Sequence, residues 1–449
     1  MNTINVDFSK RLGKIKPMHC VNNGPDAQSN IPRERTNLDL FEALHIPFAR
    51  NHDAAFNARY GLDHTVDVHL IFRDFSADEC DPASYDFTCT DDYIKMTESI
   101  GTHHFYRLGT HIEHEVKKYG TVMPPDFHKW ARICEHIIMH YTEGWADGFY
   151  YDMPYWEIWN EPDLDRDDSN NKRCWSGTAK EFYELFNITL THLKGRFPHL
   201  KIGGPAMANP ENVAWTRGFL DSLGEVKPDF FSWHIYFSKV ESMLKRARLV
   251  RELLDEYGLT DCESILNEWN YVKDNCWVGP YVAYSTRVRT GPGAKCSAYI
   301  SAAMLAAQHS SIDMLMLYDA RPCSWCPLFE PYVVSSPLKG YYSLKMFSEL
   351  YRLGNEADSH VEGENIYALA AEGTERAVMI ASYVDDDEAE SSTVTVNLRG
   401  LTGGSRIEYY LLDEDHTMEL LREEFTTAEE LTVQLSIKNY STYFIKIVN

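Results

Sequence analysis

The chain has 449 residues, of which 44% are hydrophobic and 13% aromatic, so it can bury one large core and a smaller second one. Its 67 acidic and 43 basic side chains give a formal net charge of −24, which would repel phosphate backbones and anionic lipids. We therefore expect neither a nucleic-acid partner nor a membrane partner. Neutral substrates remain compatible with this charge.

The N-terminal stretch MNTINVDFSKRLGK lacks the apolar segment of a secretory signal. No apolar run reaches the ~18 residues that a membrane span needs. The sequence therefore predicts a cytoplasmic protein. Its ten cysteines have no small-scaffold spacing, which indicates reduced and mostly buried thiols.

Two short patterns resemble metal sites. The CxxC motif CSWC at 323–326 lacks the second pair that a structural zinc site needs. His136 and His140 have the i, i+4 spacing of zinc ligands, but no Glu follows the first His, and such pairs are common packing residues. We expect no metal and no cofactor.

From about residue 15 to 355, short apolar runs alternate with longer segments of helical period, a pattern typical of parallel strands joined by helices. The eight predicted strands are 15–21, 46–52, 103–109, 155–161, 201–207, 229–237, 263–269 and 312–319. The clearest predicted helices are 130–144, 179–197, 240–258, 298–310 and 337–354. Eight such units favour an α/β fold of the (β/α)8 TIM-barrel type over an open sheet, which would seldom supply eight evenly placed units.

Past Gly354 the pattern changes to short alternating stretches separated by Gly, Asp and Glu turns, with no further strong helix. This predicts a C-terminal antiparallel β-sandwich over 356–449, next to a barrel over 15–355. The first residues also alternate, so segment 1–14 is predicted to add a strand to the sandwich.

Functional groups of a (β/α)8 barrel lie at the C-terminal ends of its strands, where they meet at one mouth. The candidates at or just past predicted strand ends are Arg50, His52, Asn160, Glu161, His234, Tyr236, Glu268, Trp269 and Tyr318. Among them, Glu161 and Glu268 each follow an apolar run, on strands that lie opposite each other across the mouth.

Two opposed carboxylates are what glycoside hydrolysis requires. A protonated one gives a proton to the leaving oxygen, and an ionised one attacks or stabilises the anomeric carbon. The aromatic residues predicted to stack on a sugar are Trp156, Trp159, Tyr236, Trp269 and Tyr318, and those predicted to bind its hydroxyls are Arg50, His52, Asn160 and His234. The tryptophans at 175, 215, 233 and 277 are assigned to the core instead.

The motif WNEP at 159–162 resembles the acid/base motif of the large (β/α)8 glycosidase clan. Together with NEWN at 267–270, the HxY pattern at 234–236 and the trailing sandwich, it makes the chain similar to glycoside hydrolase family 39. That family includes β-xylosidases and α-L-iduronidases, and its members are retaining. Because family relatives often assemble, a homo-oligomer is a further expectation.

The resemblance assigns roles to individual residues. It implies that Glu161 is the general acid/base, that Glu268 is the nucleophile, that Asn160 binds the sugar 2-hydroxyl and that Tyr236 holds the nucleophile. Asn267 departs from the xylosidase pattern, which has Thr before its Glu, and the loops at 53–100 and 270–295 match no family pattern. The identity of the sugar therefore stays open.

The sequence predicts an exo-acting, retaining glycosidase that acts on short plant-polysaccharide oligosaccharides. A β-xylosidase is the first expectation, and an α-L-arabinosidase or another activity of the clan is the second. A barrel that binds carbohydrate without cleaving it is an alternative of another class, although such proteins usually lose one of the two carboxylates. A zinc or thiol oxidoreductase built on CSWC is the remote third.

Overall fold

The protein is described here from a computed structural model, covering residues 2–54, 64–273, 293–331, 333–389 and 391–448. Eight parallel strands close into a barrel, with the first strand paired to the last. In chain order they are β2 (Cys20–Asn22), β3 (Phe48–Arg50), β4 (His103–Leu108), β5 (Tyr155–Ile158), β6 (Lys201–Met207), β7 (Phe230–Phe237), β8 (Glu263–Tyr271) and β9 (Met314–Leu317). The predicted (β/α)8 barrel is confirmed.

The barrel strands follow the apolar runs of the sequence, but several are shorter than predicted. Strand β6 matches its prediction residue for residue, whereas the first predicted strand, 15–21, was placed too early. Pro17 has no N–H, the Lys16 N–H donates to the Gln308 side chain, and the Met18 N–H turns back to the Lys16 carbonyl. These backbone groups are therefore unavailable for a ladder, and β2 begins only at Cys20.

Helices connect the strands and cover the barrel. They are α1 (Leu38–Glu42), α2 (Val68–Ile71), α3 (Thr88–Glu98), α4 (Phe127–Thr142), α5 (Ala179–Arg196), α6 (Val213–Ser222), α7 (Val240–Glu256), α8 (Ala294–Gln308) and α9 (Lys339–Leu353). Local signals fix several ends: a Thr178–Glu181 capping box starts α5, and Gly354 at φ 86° ends α9. Among the described helices, none is long and apolar enough to cross a lipid bilayer.

Both histidines of the i, i+4 pair on α4 have packing partners. The His140 ring stacks on Phe87 with centroids 3.6 Å apart, and its nitrogens bond Asp91 and the Trp145 carbonyl. His136 bonds the Arg132 carbonyl of its own helix. Neither ring faces the barrel mouth.

The C-terminal unit is one continuous, mostly antiparallel sheet of nine strands, which includes the N-terminal strand. The strands are β1 (Asn2–Lys14), β10 (Asn355–Glu362), β11 (Ile366–Glu372), β12 (Arg376–Ser382), β13 (Ser392–Arg399), β14 (Ser405–Leu412), β15 (Thr417–Thr426), β16 (Glu430–Ile437) and β17 (Ser441–Val448). Strand β1 pairs antiparallel with β10 and parallel with β13. The sheet has its own apolar core, to which Val6, Ile380 and Ile445 belong.

Polar contacts attach this sheet to the barrel. The Gln308 side chain at the end of α8 donates to Glu356 at 2.6 Å, and Lys295 at the start of α8 pairs with Asp385 at 2.7 Å. The Tyr383 hydroxyl donates to the Ser238 carbonyl, just past β7. The nine-stranded sheet therefore supports the side of the barrel that carries β7, β8 and β9.

Candidate active site

The two carboxylates identified in the sequence meet at the barrel mouth. A carboxylate oxygen of Glu161, one of Glu268 and Nδ1 of His234 all lie within 4.8 Å of one another. Glu161 stands just past the end of β5, and Glu268 lies within β8. The fold thus brings together two acids that are far apart in the chain.

An unusual backbone turn after β5 aims Glu161 at the mouth. Trp159 has φ 73° and Glu161 has φ 47°, both in the left-handed region that non-glycine residues seldom adopt and that is frequent at functional sites. The Trp159 N–H donates to the Leu108 carbonyl at 2.7 Å, and the Glu161 N–H donates to the Ala206 carbonyl at 2.9 Å. Carbonyls at the ends of the two flanking strands therefore hold the turn.

In β8, a β-bulge orients Glu268 toward the mouth. Trp233 of β7 pairs with Leu266, but the next residue, His234, pairs with Glu268, so Asn267 is the extra residue of the bulge. As a result Asn267 and Glu268 both point into the barrel: Asn267 donates to Glu157, and Glu268 accepts from Arg50.

Three donors surround the Glu268 carboxylate, which is 5% exposed. Arg50 Nη1 donates to Oε2 at 3.2 Å, and His52 Nε2 lies 3.5 Å from the same oxygen. The Tyr236 hydroxyl donates to Oε1. These contacts fix the carboxylate in one orientation at the floor of the mouth.

Arg50 is fully buried and is the centre of a polar network beneath this floor. Its Nε donates to Glu157 at 2.6 Å, its Nη1 to Asn22 at 3.0 Å and its Nη2 to Asn160 at 2.6 Å. Glu157 is also buried and accepts from Ser232 at 2.5 Å. The buried guanidinium is thus paired on every side, as a charge in a protein interior requires.

The surroundings of Glu161 are different. His234 Nδ1 lies 2.7 Å from its Oε1, and the Cys174 thiol donates weakly to its Oε2 at 3.9 Å. Burial raises the pKa of Glu161, although the nearby His52 and Arg50 oppose the shift. Burial lowers the pKa of His234 to about 4, so its imidazole is neutral at pH 7. A mostly buried carboxyl group beside a neutral imidazole is suited to donating a proton.

The described residues around the two acids line an open cleft of about 1530 Å³. The predicted residues that line it are His52, Glu161, Tyr236, Glu268 and Tyr318. The Tyr318 hydroxyl donates to Asp53. Asn160 and His234 lie just below the surface, and the Nδ2 of Asn160 and the Nε2 of His234 have no hydrogen-bond partner among the described residues.

The CSWC motif contributes to this cleft through its tryptophan. The Trp325 ring lies 5.4 Å from that of Tyr236 and 5.9 Å from that of Tyr318, and its carbonyl accepts from Asn270 at 2.8 Å. Cys323 and Cys326 lie in the turn that carries this tryptophan, and both are free thiols. Every other cysteine in the described part of the chain is also a free thiol. The CSWC pattern predicts nothing beyond a pair of thiols, so the place of Trp325 in the cleft was not predicted.

Three of the predicted sugar platforms were wrong, because their rings belong to the core. Trp269 is fully buried and lies 6.0 Å from Tyr299 of α8, on the outside of the barrel, since it follows the inward-facing Glu268 along the strand. Trp156 stacks on Tyr106 at 5.0 Å, and Trp159 packs at 5.1 Å from Trp175. Conversely, Trp215, which was assigned to the core, lines the cleft.

Comparisons with known proteins agree with this geometry. The family model described as Glycosyl hydrolases family 39 matches residues 18–273. A protein named beta-xylosidase from Geobacillus stearothermophilus is 28% identical over 175 residues, which are 34% of this chain and 32% of that protein. Another beta-xylosidase, from Caldicellulosiruptor saccharolyticus, is 26% identical over 246 residues, 52% of this chain and 46% of that protein. The matched stretches thus span less than half of either relative.

The fold comparison extends over the whole chain. The crystal structure of a glucosidase from Croceicoccus marinus superposes with a TM-score of 0.82 at 23% identity, covering 100% of this chain and 99% of the other. The two proteins therefore share the barrel and the attached β-sheet. Because the family model matches more than half of the sequence, this chain belongs to glycosyl hydrolases family 39.

Proposed function

We propose that this protein is a retaining glycoside hydrolase in which Glu161 is the general acid/base and Glu268 the nucleophile. The observation that carries the proposal is the spacing of their carboxylate oxygens, within 4.8 Å of each other. Retaining enzymes hold the two carboxyl groups about 5–5.5 Å apart, whereas inverting enzymes leave about 6.5–9.5 Å for a water molecule. The separation in this site fits direct attack by a carboxylate.

In the first half-reaction, a Glu268 oxygen forms a bond to the anomeric carbon as the bond to the leaving oxygen breaks. Glu161 transfers its proton to that oxygen, so the leaving sugar departs as a neutral alcohol. Arg50, His52 and Tyr236 orient the nucleophile for this attack. The products are a glycosyl ester of Glu268 and an ionised Glu161.

In the second half-reaction, water attacks the same carbon from the side that the leaving group has vacated. Esterification has removed the negative charge of Glu268, and the ionised Glu161 takes the proton of the water. The ester bond breaks, Glu268 regains its charge, and the sugar leaves with its original anomeric configuration. Both residues return to their starting protonation states.

The proposed substrates are β-xylosides, cleaved one sugar at a time from short plant oligosaccharides. This choice rests on the two relatives named beta-xylosidase. The buried Asn160 Nδ2, which has no partner among the described residues, supports a sugar in the site, because it can donate to a 2-hydroxyl. The α-L-arabinosides remain the second candidate, as predicted from the sequence. The non-catalytic alternative is disfavoured because both acids are present and adjacent.

The test is a panel of p-nitrophenyl xyloside, arabinoside, glucoside, galactoside and glucuronide, followed by proton NMR of the sugar released first. We expect turnover of the β-xyloside and initial release of the β-anomer. Initial release of the α-anomer from the β-xyloside would exclude retention. Thermal stabilisation by sugars without release of nitrophenol would identify a carbohydrate-binding protein.

A chelator control belongs in the same assay. Glu161, His234 and Glu268 present donor atoms at a mutual spacing that also suits a cation. The proposed double displacement uses only the two carboxylates, so the rate should be unchanged after treatment with EDTA. A loss of activity that zinc or another divalent cation restores would contradict this mechanism.

A further inference from the structure

The cleft extends well beyond the two acids, toward α5 and α6. On this side it is lined by Trp215 and Tyr183, which are half-buried, and by the exposed amide side chains of Asn209 and Asn212. We refer to these four residues as the leaving-group wall. The mechanism described above gives none of them a role.

The Trp215 ring is held in place from below. Its ring contacts come from α5 and α6: Tyr183 at 5.0 Å, Phe219 at 5.9 Å and Phe182 at 6.0 Å. The Tyr183 hydroxyl also donates to the Trp215 carbonyl at 2.9 Å. A supported ring at the edge of a cleft provides a flat apolar surface with little conformational entropy left to lose on binding.

Backbone contacts place this wall on the side of Glu161. The carboxylate of Asp163, two positions after Glu161, accepts from the N–H groups of Ala208 and Asn209, both at 2.8 Å. The same loop continues to Asn212, whose side chain caps α6 by accepting from the Trp215 N–H. The opposite side of the cleft, beside Glu268, is occupied by the aromatic rings of Tyr236, Tyr318 and Trp325.

The three arginines that line this part of the cleft are all paired with carboxylates. Arg173 pairs with Asp165 at 2.7 Å, Arg246 with Glu211 at 2.8 Å, and Arg166 with Asp168 at 3.0 Å. A ligand with its own charge would have to compete with these pairs. An uncharged ligand with one apolar face and several hydroxyls, such as a pyranose, would not.

The proton donor of a glycosidase lies on the side of the departing group. We infer that the leaving-group wall binds the sugar that departs, with one pyranose ring stacked on Trp215 and its hydroxyls near Asn209 and Asn212. This inference rests on the proposed function and adds the residues that bind the departing sugar of the oligosaccharide. Because water and acceptor sugars enter from the same side, the wall also binds acceptors for transglycosylation.

The experiment compares two substrates with the same cleaved sugar, the one that the aryl panel identifies. One is the disaccharide, xylobiose if the sugar is xylose, and the other is the glycosyl fluoride, whose leaving group is too small to reach Trp215. In Trp215→Ala we expect kcat/KM for the disaccharide to fall about 10-fold or more, as for an aromatic anchor, while the fluoride changes less than about 2-fold. In the same variant, the ratio of transglycosylation to hydrolysis should also fall.

Trp145→Ala is the matched control, since Trp145 is also half-buried but lies past α4, near Tyr85 and His136, away from the cleft. It should leave both substrates unchanged. Trp215→Phe keeps an aromatic ring and replaces Trp215→Ala in the experiment if the alanine variant does not fold. It should reduce disaccharide cleavage less than the alanine variant does.

Equal losses on both substrates, or no loss on the disaccharide, would overturn the inference while leaving the proposed function intact. A wild-type protein that turns over neither the fluoride nor any aryl glycoside would overturn both. A variant that loses disaccharide cleavage but keeps its transglycosylation ratio would show that Trp215 does not bind acceptors, and would overturn the assignment of a shared wall.

Discussion

The ends of β5 and β8 carry the same dipeptide, Asn-Glu, and yet the two glutamates have different surroundings. Glu161 lies beside the neutral imidazole of His234 and the thiol of Cys174. Glu268 lies beside the guanidinium of Arg50, the imidazole of His52 and a tyrosine hydroxyl. Tertiary neighbours, and not the local motif, therefore distinguish the proposed acid from the proposed nucleophile.

The two strand ends are also connected beneath the surface. Arg50 donates to Glu268 on one side and to Asn160, next to Glu161, on the other. Glu157, in the middle of β5, accepts from both Arg50 and Asn267. One buried network therefore sets the distance between the two carboxylates, and substitutions at either end should separate their roles.

The largest effect is expected at the β8 end. Glu268→Gly removes the proposed nucleophile, so turnover of an activated aryl glycoside should fall by at least about 10⁴-fold. Added azide should restore turnover and yield a glycosyl azide of inverted configuration, because the small anion occupies the vacated space. The measurement is nitrophenol release together with NMR of the product.

The control for this variant is Glu263→Gln. Glu263 lies at the opposite end of the same strand, where it pairs with Lys201. Its substitution should leave turnover within a few-fold of the wild type. Wild-type activity in Glu268→Gly would refute the assignment of the nucleophile.

The next effect concerns the β5 end. Glu161→Gln removes the proposed proton donor, so cleavage of a poor leaving group such as a second sugar should slow by about 10²–10⁴-fold. An activated dinitrophenyl glycoside should be much less affected in its first step, because it departs without protonation. Steady-state kinetics with both substrates measure this difference, and equal losses with both would contradict the acid role.

Glu161→Gln should also change the pH profile. Burial raises the pKa of Glu161, and the protonated form is the active acid, so kcat/KM of the wild type falls as pH rises through that pKa. The variant has no proton to lose, and its profile on the activated substrate should lack this alkaline limb. An identical alkaline limb in both proteins would assign it to another group.

A smaller effect should separate two tyrosines on the Glu268 side of the cleft, Tyr236 in β7 and Tyr318 just past β9. Tyr236→Phe removes the hydroxyl that donates to Glu268, and hydrogen bonds to charged groups contribute about 1.5–3 kcal/mol, or about 10–150-fold in kcat/KM. Tyr318→Phe removes a donor to Asp53 instead and should reduce the rate less. Kinetics with one aryl glycoside give the ranking, and the reverse order would contradict it.

The smallest expected effect is on stability and compares the two imidazoles. Burial lowers the pKa of His234 to about 4, so the stability that its neutral form contributes is present above about pH 6.5 and is lost as pH falls toward 4. Burial also opposes protonation of His52, but Asp53 and Glu268 outweigh it and raise the pKa of His52. Its contribution is present below about pH 6.5 and is lost as pH rises through its folded pKa.

Urea unfolding at pH 5 and pH 8 measures the difference. Relative to the wild type, His234→Asn should lose less unfolding free energy on acidification, by up to about 1.4 kcal/mol per pH unit below 6.5. His52→Asn should show the opposite trend: its loss of unfolding free energy relative to the wild type should be greater at pH 5 than at pH 8. The same trend in both variants would mean that His234 and His52 do not differ in protonation state.

Much of this architecture could be predicted from the sequence. The alternation of apolar runs and helical segments predicted eight barrel strands, and β6 was placed at its observed residues, Lys201–Met207. The position of Glu161 and Glu268 at the ends of apolar runs, together with the resemblance of WNEP and NEWN to family motifs, selected both acids. These features are local, because strand periodicity and strand ends depend on neighbouring residues alone.

The directions of individual side chains were decided only by the tertiary structure. The bulge at Asn267 and the left-handed turn at Trp159 and Glu161 change which residues face the mouth, and neither has a clear sequence signal. Trp269 was predicted as a sugar platform but lies in the core, because it alternates with the inward-facing Glu268, whereas Trp215 of α6 and Trp325 past β9 line the cleft. The sequence determined which strands and acids the protein has, whereas long-range packing, which no local pattern encodes, decided which aromatic rings and donors surround those acids.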